Sequence, residues 1–140
     1  ADDCRGAADD QSHSGKRSVK VVGPGAPGKV SAHSPIAGGP AVYGETAKRY
    51  RLSAWVKTSG LSNGAVFLQV DDVFWNWSDQ RATRQSPKLA ADTDWVELSL
   101  EFQPSKGDPF LLIKLCVEGA GTAWFDDLAL KEISETADRR

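Results

Sequence analysis

Alternation of apolar and polar residues with a period of two constrains this chain more than any other feature. It is clearest over 96–102, where every second residue is apolar and the residues between are Glu or Ser. Turn signals separate such runs about every ten residues, and Asn63-Gly64 predicts a hairpin between two of them. The predicted strands are 18–22, 30–34, 50–58, 65–72, 84–89, 95–102, 110–118 and 122–133. This pattern predicts an all-β fold, a sandwich or jelly roll of two antiparallel sheets.

Length and composition predict one domain over 1–140. A chain of 140 residues is long enough to bury a core and too short for two ordinary domains. Five tryptophans, thirteen glycines and no methionine, without sustained helical periodicity, favour short strands over a helical bundle. The acidic segment 1–12 is predicted to be a loop or frayed terminus, and 134–140 a linker-like tail.

Charge and hydropathy exclude two classes of partner. A net charge of −2 and a pI of 5.7 provide no basic field for nucleic acid. No apolar run reaches the roughly twenty residues that a membrane-spanning helix requires. Cys4 and Cys116 are the only cysteines, so they either form one disulfide, which would indicate an oxidising compartment, or leave Cys116 as a buried thiol.

The closing strand carries a carboxylate that breaks its pattern. Strict alternation from 121 to 130 places Asp126 on the same face as Trp124 and Leu128. A carboxylate directed toward an apolar layer must be neutralised, and a bound Ca²⁺ would do this. The alternative is that Asp126 and Asp127 cap a strand end or face a turn.

Two short matches to enzyme motifs are rejected because their flanking residues do not fit the motif's structure. The run 23–28 matches G-x-G-x-x-G, but two prolines and the absence of a following helix exclude a dinucleotide fold. The run 60–64 matches G-x-S-x-G between two strands, whereas a nucleophile elbow requires a strand and a helix. No paired carboxylates mark a glycosidase, so we expect no enzyme activity.

Aromatic and polar residues outside the predicted core suggest carbohydrate binding. Trp75 and Trp77 follow a strand and are separated by one polar residue, which favours exposed indoles. Sugars need flat aromatics for their ring face and fixed polar groups for their hydroxyls. By the strand phase, further candidates on non-core faces or in loops are Trp55, Arg51, Gln69, Asp71, Lys114, Glu118 and Tyr43.

Four segments resemble the carbohydrate-binding modules with a galactose-binding-like jelly roll, the group that contains families four, nine, sixteen and twenty-two. The matching segments are 13–21, 50–60, 94–98 and 121–128, in the expected order and spacing. The resemblance covers the chain from about His13 to Ile133 and implies the jelly-roll fold.

The resemblance also implies a structural Ca²⁺ and a function. The metal would be held by Asp126 with backbone carbonyls near Gly15 and Lys16, while the usual first-strand Glu is missing and Asp9 or Asp10 would replace it. The implied function is non-catalytic binding of a polysaccharide, anchoring an attached catalytic domain of a secreted or cell-surface enzyme. The alternative is a structural or protein-contact domain of a larger secreted protein without sugar binding.

Overall fold

The structure, a computed structural model, describes residues 6–9, 18–33, 44, 45, 47–73, 80–105 and 109–133. Over these ranges the regular elements are seven strands, and no helix there is long and apolar enough to cross a membrane. The strands are β1 (Gly6–Asp9), β2 (Ser18–Val22), β3 (Val30–His33), β4 (Arg49–Val73), β5 (Gln80–Gln85), β6 (Thr93–Phe102) and β7 (Phe110–Ile133).

The long strands β4 and β7 organise the fold. They pair antiparallel from Arg49–Ile133 at one end to Val73–Phe110 at the other. Residues 49–59 of β4 and 122–133 of β7, with β1, β2 and β6, form one layer, which we call sheet I. Residues 65–73 and 110–118, with β3 and β5, form the other, sheet II. Two antiparallel layers confirm the predicted all-β jelly roll.

β4 and β7 each pass between sheet I and sheet II at one place, over residues 60–64 of β4 and 119–121 of β7. A Cβ at Gly64 would lie 2.0 Å from the carbonyl oxygen of Glu118, and one at Gly119 would lie 2.5 Å from that of Asn63. Asn63 and Gly119 also adopt positive φ values of 51° and 78°. Because these residues let both strands bend together, β4 continues along β7 instead of turning back, and the predicted hairpin at Asn63-Gly64 is wrong.

The hydrophobic core lies between the sheets and follows the predicted alternation. Within 52–56 and 66–70 of β4, every second residue is wholly buried in it: Leu52, Ala54, Val56, Val66, Leu68 and Val70. The facing residues of β7 are Leu111, Ile113, Leu115, Val117, Ala123 and Phe125. Each large aliphatic side chain removed from water contributes about 1.5–3 kcal/mol, so this cluster is the main source of stability.

The ends of several predicted strands differ in the structure. Segment 1–12, predicted as a loop or frayed terminus, contains β1, whose backbone pairs with β2 along an edge and needs no apolar face. The strand predicted over 84–89 is shifted to β5, and only Leu89 of its second half retains a bridge, to Val66. The predicted strand 18–22 is confirmed as β2.

Candidate binding groove

A groove of about 340 Å³ lies on the outer face of sheet II. Its residues come from β3, β4, β5 and β7 and from the segments that flank β3 and β5. The lining residues are Gly28, Val30, Ala32, Phe67, Gln69, Gln85, Lys88, Lys114, Cys116 and Glu118. Neighbouring strands contribute side chains in register, so the backbone ladder fixes the layout of the groove.

The first row across the groove is polar. Gln69 of β4 pairs with Gln85 of β5 on one side and with Lys114 of β7 on the other. Gln85 Nε2 donates to Gln69 Oε1 at 3.0 Å, which fixes the orientation of the Gln69 amide. The row therefore presents amide and ammonium groups at fixed positions.

A buried carboxylate lies beneath this polar row. Asp71 is wholly buried, and its Oδ1 accepts hydrogen bonds from Gln69 Nε2 at 3.0 Å and Thr83 Oγ1 at 2.9 Å. Lys114 Nζ lies 2.9 Å from Asp71 Oδ2 as an ion pair, without hydrogen-bond geometry at that oxygen. Removing one partner from a buried pair is costly, so Asp71 holds the Lys114 ammonium at the groove surface.

The second row across the groove is apolar, and the third row contains the charged Glu118. The centre of the groove is formed by Cys116 of β7, which pairs with Phe67 of β4 on one side and with Ala32 of β3 on the other. Beyond them Glu118 pairs with Val30. Lys114 and Glu118 are four residues apart on one strand, about 13 Å along it. Polar groups therefore flank an apolar centre on both sides.

Lys88 reaches over the apolar centre from the segment after β5. Its Nζ lies 4.8 Å from the centroid of the Phe67 ring and 3.7 Å from Glu118 Oε1. The two ammonium groups, of Lys88 and Lys114, balance the carboxylates of Glu118 and Asp71. The four charged groups of the groove sum to zero, which suits an uncharged ligand.

The structure brings together four of the predicted sugar-binding residues and separates two others from them. Gln69, Lys114 and Glu118 line the groove, and Asp71 lies directly beneath it. Arg51 and Trp55 pair with Glu101 and Glu97 of β6 on the outer face of sheet I. Their strand phase was correct, but β4 passes from one sheet to the other between them and Gln69. Tyr43, Trp75 and Trp77 lie outside the described residues.

Sequence reasoning missed several groove residues, of which Phe67, Gln85 and Lys88 have the largest side chains. Phe67 shares the predicted strand face of Gln69 and Asp71, so its position was visible from the alternation. Gln85 and Lys88 were hidden because the strand over 84–89 was predicted out of place. Their approach to β4 depends on the pairing of β4 with β5, which is a tertiary contact.

The expected orientation of Asp126 is wrong. A bulge between the Ser53–Ala129 and Trp55–Asp126 pairs inserts one extra residue in β7, and Asp127 adopts a positive φ of 53°. Phe125 therefore faces the core, while Asp126 lies half-buried on the outer face, its Oδ1 accepting the backbone N–H of Asp127 at 2.8 Å. The argument for a metal from a carboxylate in the apolar layer no longer holds.

The described residues supply only part of the expected calcium site. In these ranges no three His, Cys, Asp or Glu side chains are close enough together to hold a metal ion. Of the expected ligands they contain Asp126 and Asp9, the alternative to Asp10, whereas Asp10, Gly15 and Lys16 lie outside them. Val19 pairs with Phe125, so the beginning of β2 lies beside Asp126.

The pairing of the cysteines also depends on a residue outside the described ranges. Cys116 is buried at the centre of the groove, as expected for its strand, and Cys4 is not among the described residues.

The fold is that of solved carbohydrate-binding modules. A family 16 carbohydrate-binding module matches with a TM-score of 0.61 at 17% identity, covering 90% of this chain and 84% of that chain. The CBM22-1 xylan-binding domain of Paenibacillus barcinonensis Xyn10C gives 0.61 at 17% identity, with 92% and 81% covered. The CBM22-1 and GH10 modules of a Clostridium thermocellum endo-1,4-β-D-xylanase, complexed with xylohexaose, give 0.64 at 16% identity, with 92% and 24% covered.

Enzymes are also among the similar structures. A Fischerella cyclase matches with a TM-score of 0.60 at 16% identity, covering 91% of this chain and 69% of that chain. No protein-family model and no curated protein sequence matches this chain. Identities this low show a shared fold, and function has to be argued from the groove.

Proposed function

We propose that this domain binds carbohydrate in the groove of sheet II without cleaving it. The observation that carries the proposal is the row Gln85–Gln69–Lys114, fixed from below by Asp71 and adjoining the apolar centre at Phe67. A pyranose presents hydroxyls at its edge and C–H groups on its faces, so a polar row beside an apolar surface matches both.

The same proposal places the domain in a larger secreted protein. Two of the similar structures carry the names of a xylan-binding domain and of a module joined to a xylanase. By analogy, the domain would hold an attached catalytic domain on a polysaccharide. The proposal includes a structural Ca²⁺ at Asp126, with Asp10 and the backbone of Gly15 and Lys16 as the remaining ligands. Trp75, Trp77 and Tyr43 would extend the sugar contacts.

The proposal excludes catalysis by this domain. Glycoside hydrolysis requires two carboxylates facing each other across the substrate. Of the groove's carboxylates, Asp71 is wholly buried and paired with Lys114, and Glu118 lies 3.7 Å from Lys88. Neither has a second exposed carboxylate opposite it among the described lining residues.

Retention by immobilised glycans tests the proposal. A panel of soluble xylan, β-glucan, galactomannan and polygalacturonate in affinity gels should retard the wild type on at least one member. Gln85→Ala should weaken that retention about tenfold, the effect of losing one to two hydrogen bonds. Arg51→Met, on the outer face of sheet I, is the matched control and should leave it unchanged.

Three outcomes would contradict the proposal. A wild-type domain that no glycan retards would favour the structural alternative, and release of reducing sugar would show an enzyme. Retention lost only in Trp75→Ala and Trp77→Ala would move the site away from the groove.

A further inference from the structure

On the proposed function that the groove binds carbohydrate, we infer that Phe67 is the stacking surface for a pyranose ring and that Lys88 is a displaceable cover over it. Among the described residues that line the groove, Phe67 is the only aromatic one. It lies at the centre, beside the small side chains of Cys116 and Ala32. A flat ring with small neighbours offers the broad apolar surface that a sugar ring face needs.

The Phe67 ring is closed to solvent in the structure. Only 2% of the residue is exposed, although it lines an open groove. Lys88 Nζ lies 4.8 Å from its ring centroid. An ammonium above an aromatic face is attracted by the ring quadrupole, so it occupies the position that the C–H groups of a sugar would take.

Lys88 is weakly held and can leave this position. Its side chain is 46% exposed, and its contact with Glu118 is an ion pair at 3.7 Å, longer than a hydrogen bond. Cation–aromatic contacts and ion pairs at such exposed positions are individually weak. When the Lys88 side chain moves into solvent its ammonium becomes fully hydrated, which offsets much of the free energy lost with the Phe67 and Glu118 contacts.

Only the Lys88 side chain has to move, because its backbone is fixed on both sides. Ser86 donates its backbone N–H to Leu68 at 2.9 Å, and Leu89 exchanges two backbone hydrogen bonds with Val66, both at 2.9 Å. The polar groups beside the ring therefore stay in place when Phe67 is uncovered. When the Lys88 side chain moves away, Gln69, Gln85 and Lys114 keep their positions and can bind the hydroxyls of the sugar.

The charges of the groove select an uncharged ring as the occupant. Lys114 is already paired with Asp71, and Lys88, once displaced, carries its charge away from the centre. A sugar carboxylate at the centre would meet Glu118, and the described lining residues supply no further cation to pair with it, which is unfavourable. A neutral pyranose meets no such penalty.

Substitution of Lys88 distinguishes a cover from a ligand contact. Affinities for the retained polysaccharide of the panel, and for xylohexaose, are measured by titration calorimetry on the whole domain. Lys88→Ala should bind about three- to tenfold more tightly, because the ring is already uncovered. Phe67→Leu, which keeps an apolar side chain but loses the flat face, should bind about tenfold more weakly. Arg51→Met is the control, and circular dichroism confirms that each variant is folded.

A second measurement reports on the cover directly. In the free protein the Phe67 ring current should shift the ε-methylene resonance of Lys88 upfield, and this shift should be absent in Phe67→Leu. Saturating glycan should return the resonance to its ordinary position.

Weaker binding by Lys88→Ala, or an unchanged Lys88 resonance at saturation, overturns the inference while leaving carbohydrate binding intact. A wild type that binds no glycan overturns the proposed function as well.

Discussion

Replacing Arg84 with methionine should destabilise the domain far more than breaking a shorter ion pair on its surface. Asp72 is wholly buried near the end of β4. Its Oδ1 lies 2.8 Å from Arg84 Nη1, and its Oδ2 accepts hydrogen bonds from the backbone N–H and the hydroxyl of Ser105 at 2.8 and 2.6 Å. Arg84 also donates to the carbonyl oxygen of Gln103 and lies over the Phe102 ring.

The size of the effect follows from what remains after the substitution. Leaving one member of a buried ion pair uncompensated costs about 3–5 kcal/mol. The two Ser105 hydrogen bonds to Asp72 persist in Arg84→Met, so we expect the lower end, about 3 kcal/mol. This is a large part of the roughly 5–15 kcal/mol that stabilises an ordinary domain.

The matched control is Arg51→Met. Arg51 Nη2 lies only 2.6 Å from Glu101 Oε2, but the two side chains are 54% and 42% exposed. Arg51 holds the pKa of Glu101 below its usual value, yet solvent screens this interaction. We therefore expect little change in the free energy of unfolding of this variant.

Urea unfolding followed by tryptophan fluorescence measures both variants. The double variant Asp72→Asn/Arg84→Met should recover part of the loss, because the uncompensated charge has been removed. Equal destabilisation by Arg84→Met and Arg51→Met would refute the reasoning that burial, more than distance, sets the strength of these pairs.

Calcium and pH provide two further tests. If the proposed Ca²⁺ site exists, Ca²⁺ at roughly 100 times Kd should raise the free energy of unfolding by about 2.7 kcal/mol, which thermal unfolding detects as a higher Tm. Neither EDTA nor Ca²⁺ should affect Asp126→Ala. A wild type that responds to neither would contradict the site. Burial lowers the pKa of His33 from 6.5, so its neutral form is favoured in the fold and the unfolded state binds more protons. The free energy of unfolding should thus fall as the pH drops through and below 6.5, and His33→Gln should flatten this dependence; an unchanged profile in His33→Gln would assign it to other groups.

The fold class could be predicted because it depends on a local period. Alternation placed Leu98 and Phe102 of β6 in the core and put Phe67, Gln69 and Asp71 on one face of a strand, and the structure confirms both. Side chains of a strand alternate between faces whatever the partners are, so these features need only neighbours in sequence.

The candidate site could be predicted only in part because its residues come from several strands. Gln69, Asp71 and Lys114 were found from their own strands, whereas Lys88 reaches Phe67 from a segment whose position is set by the Val66–Leu89 bridge. Arg51 was grouped with Gln69 because nothing local shows that β4 changes sheets between them.

The sequence by itself determined the all-β class, the strand faces and the small net negative charge. The tertiary structure decided where β4 and β7 bend and which way Asp126 points. A single inserted residue at Asp126-Asp127 reverses the face of every residue beyond it, and a period of two carries no record of such a shift. The close approach of Gly64 to Glu118 likewise exists only once the two strands are paired.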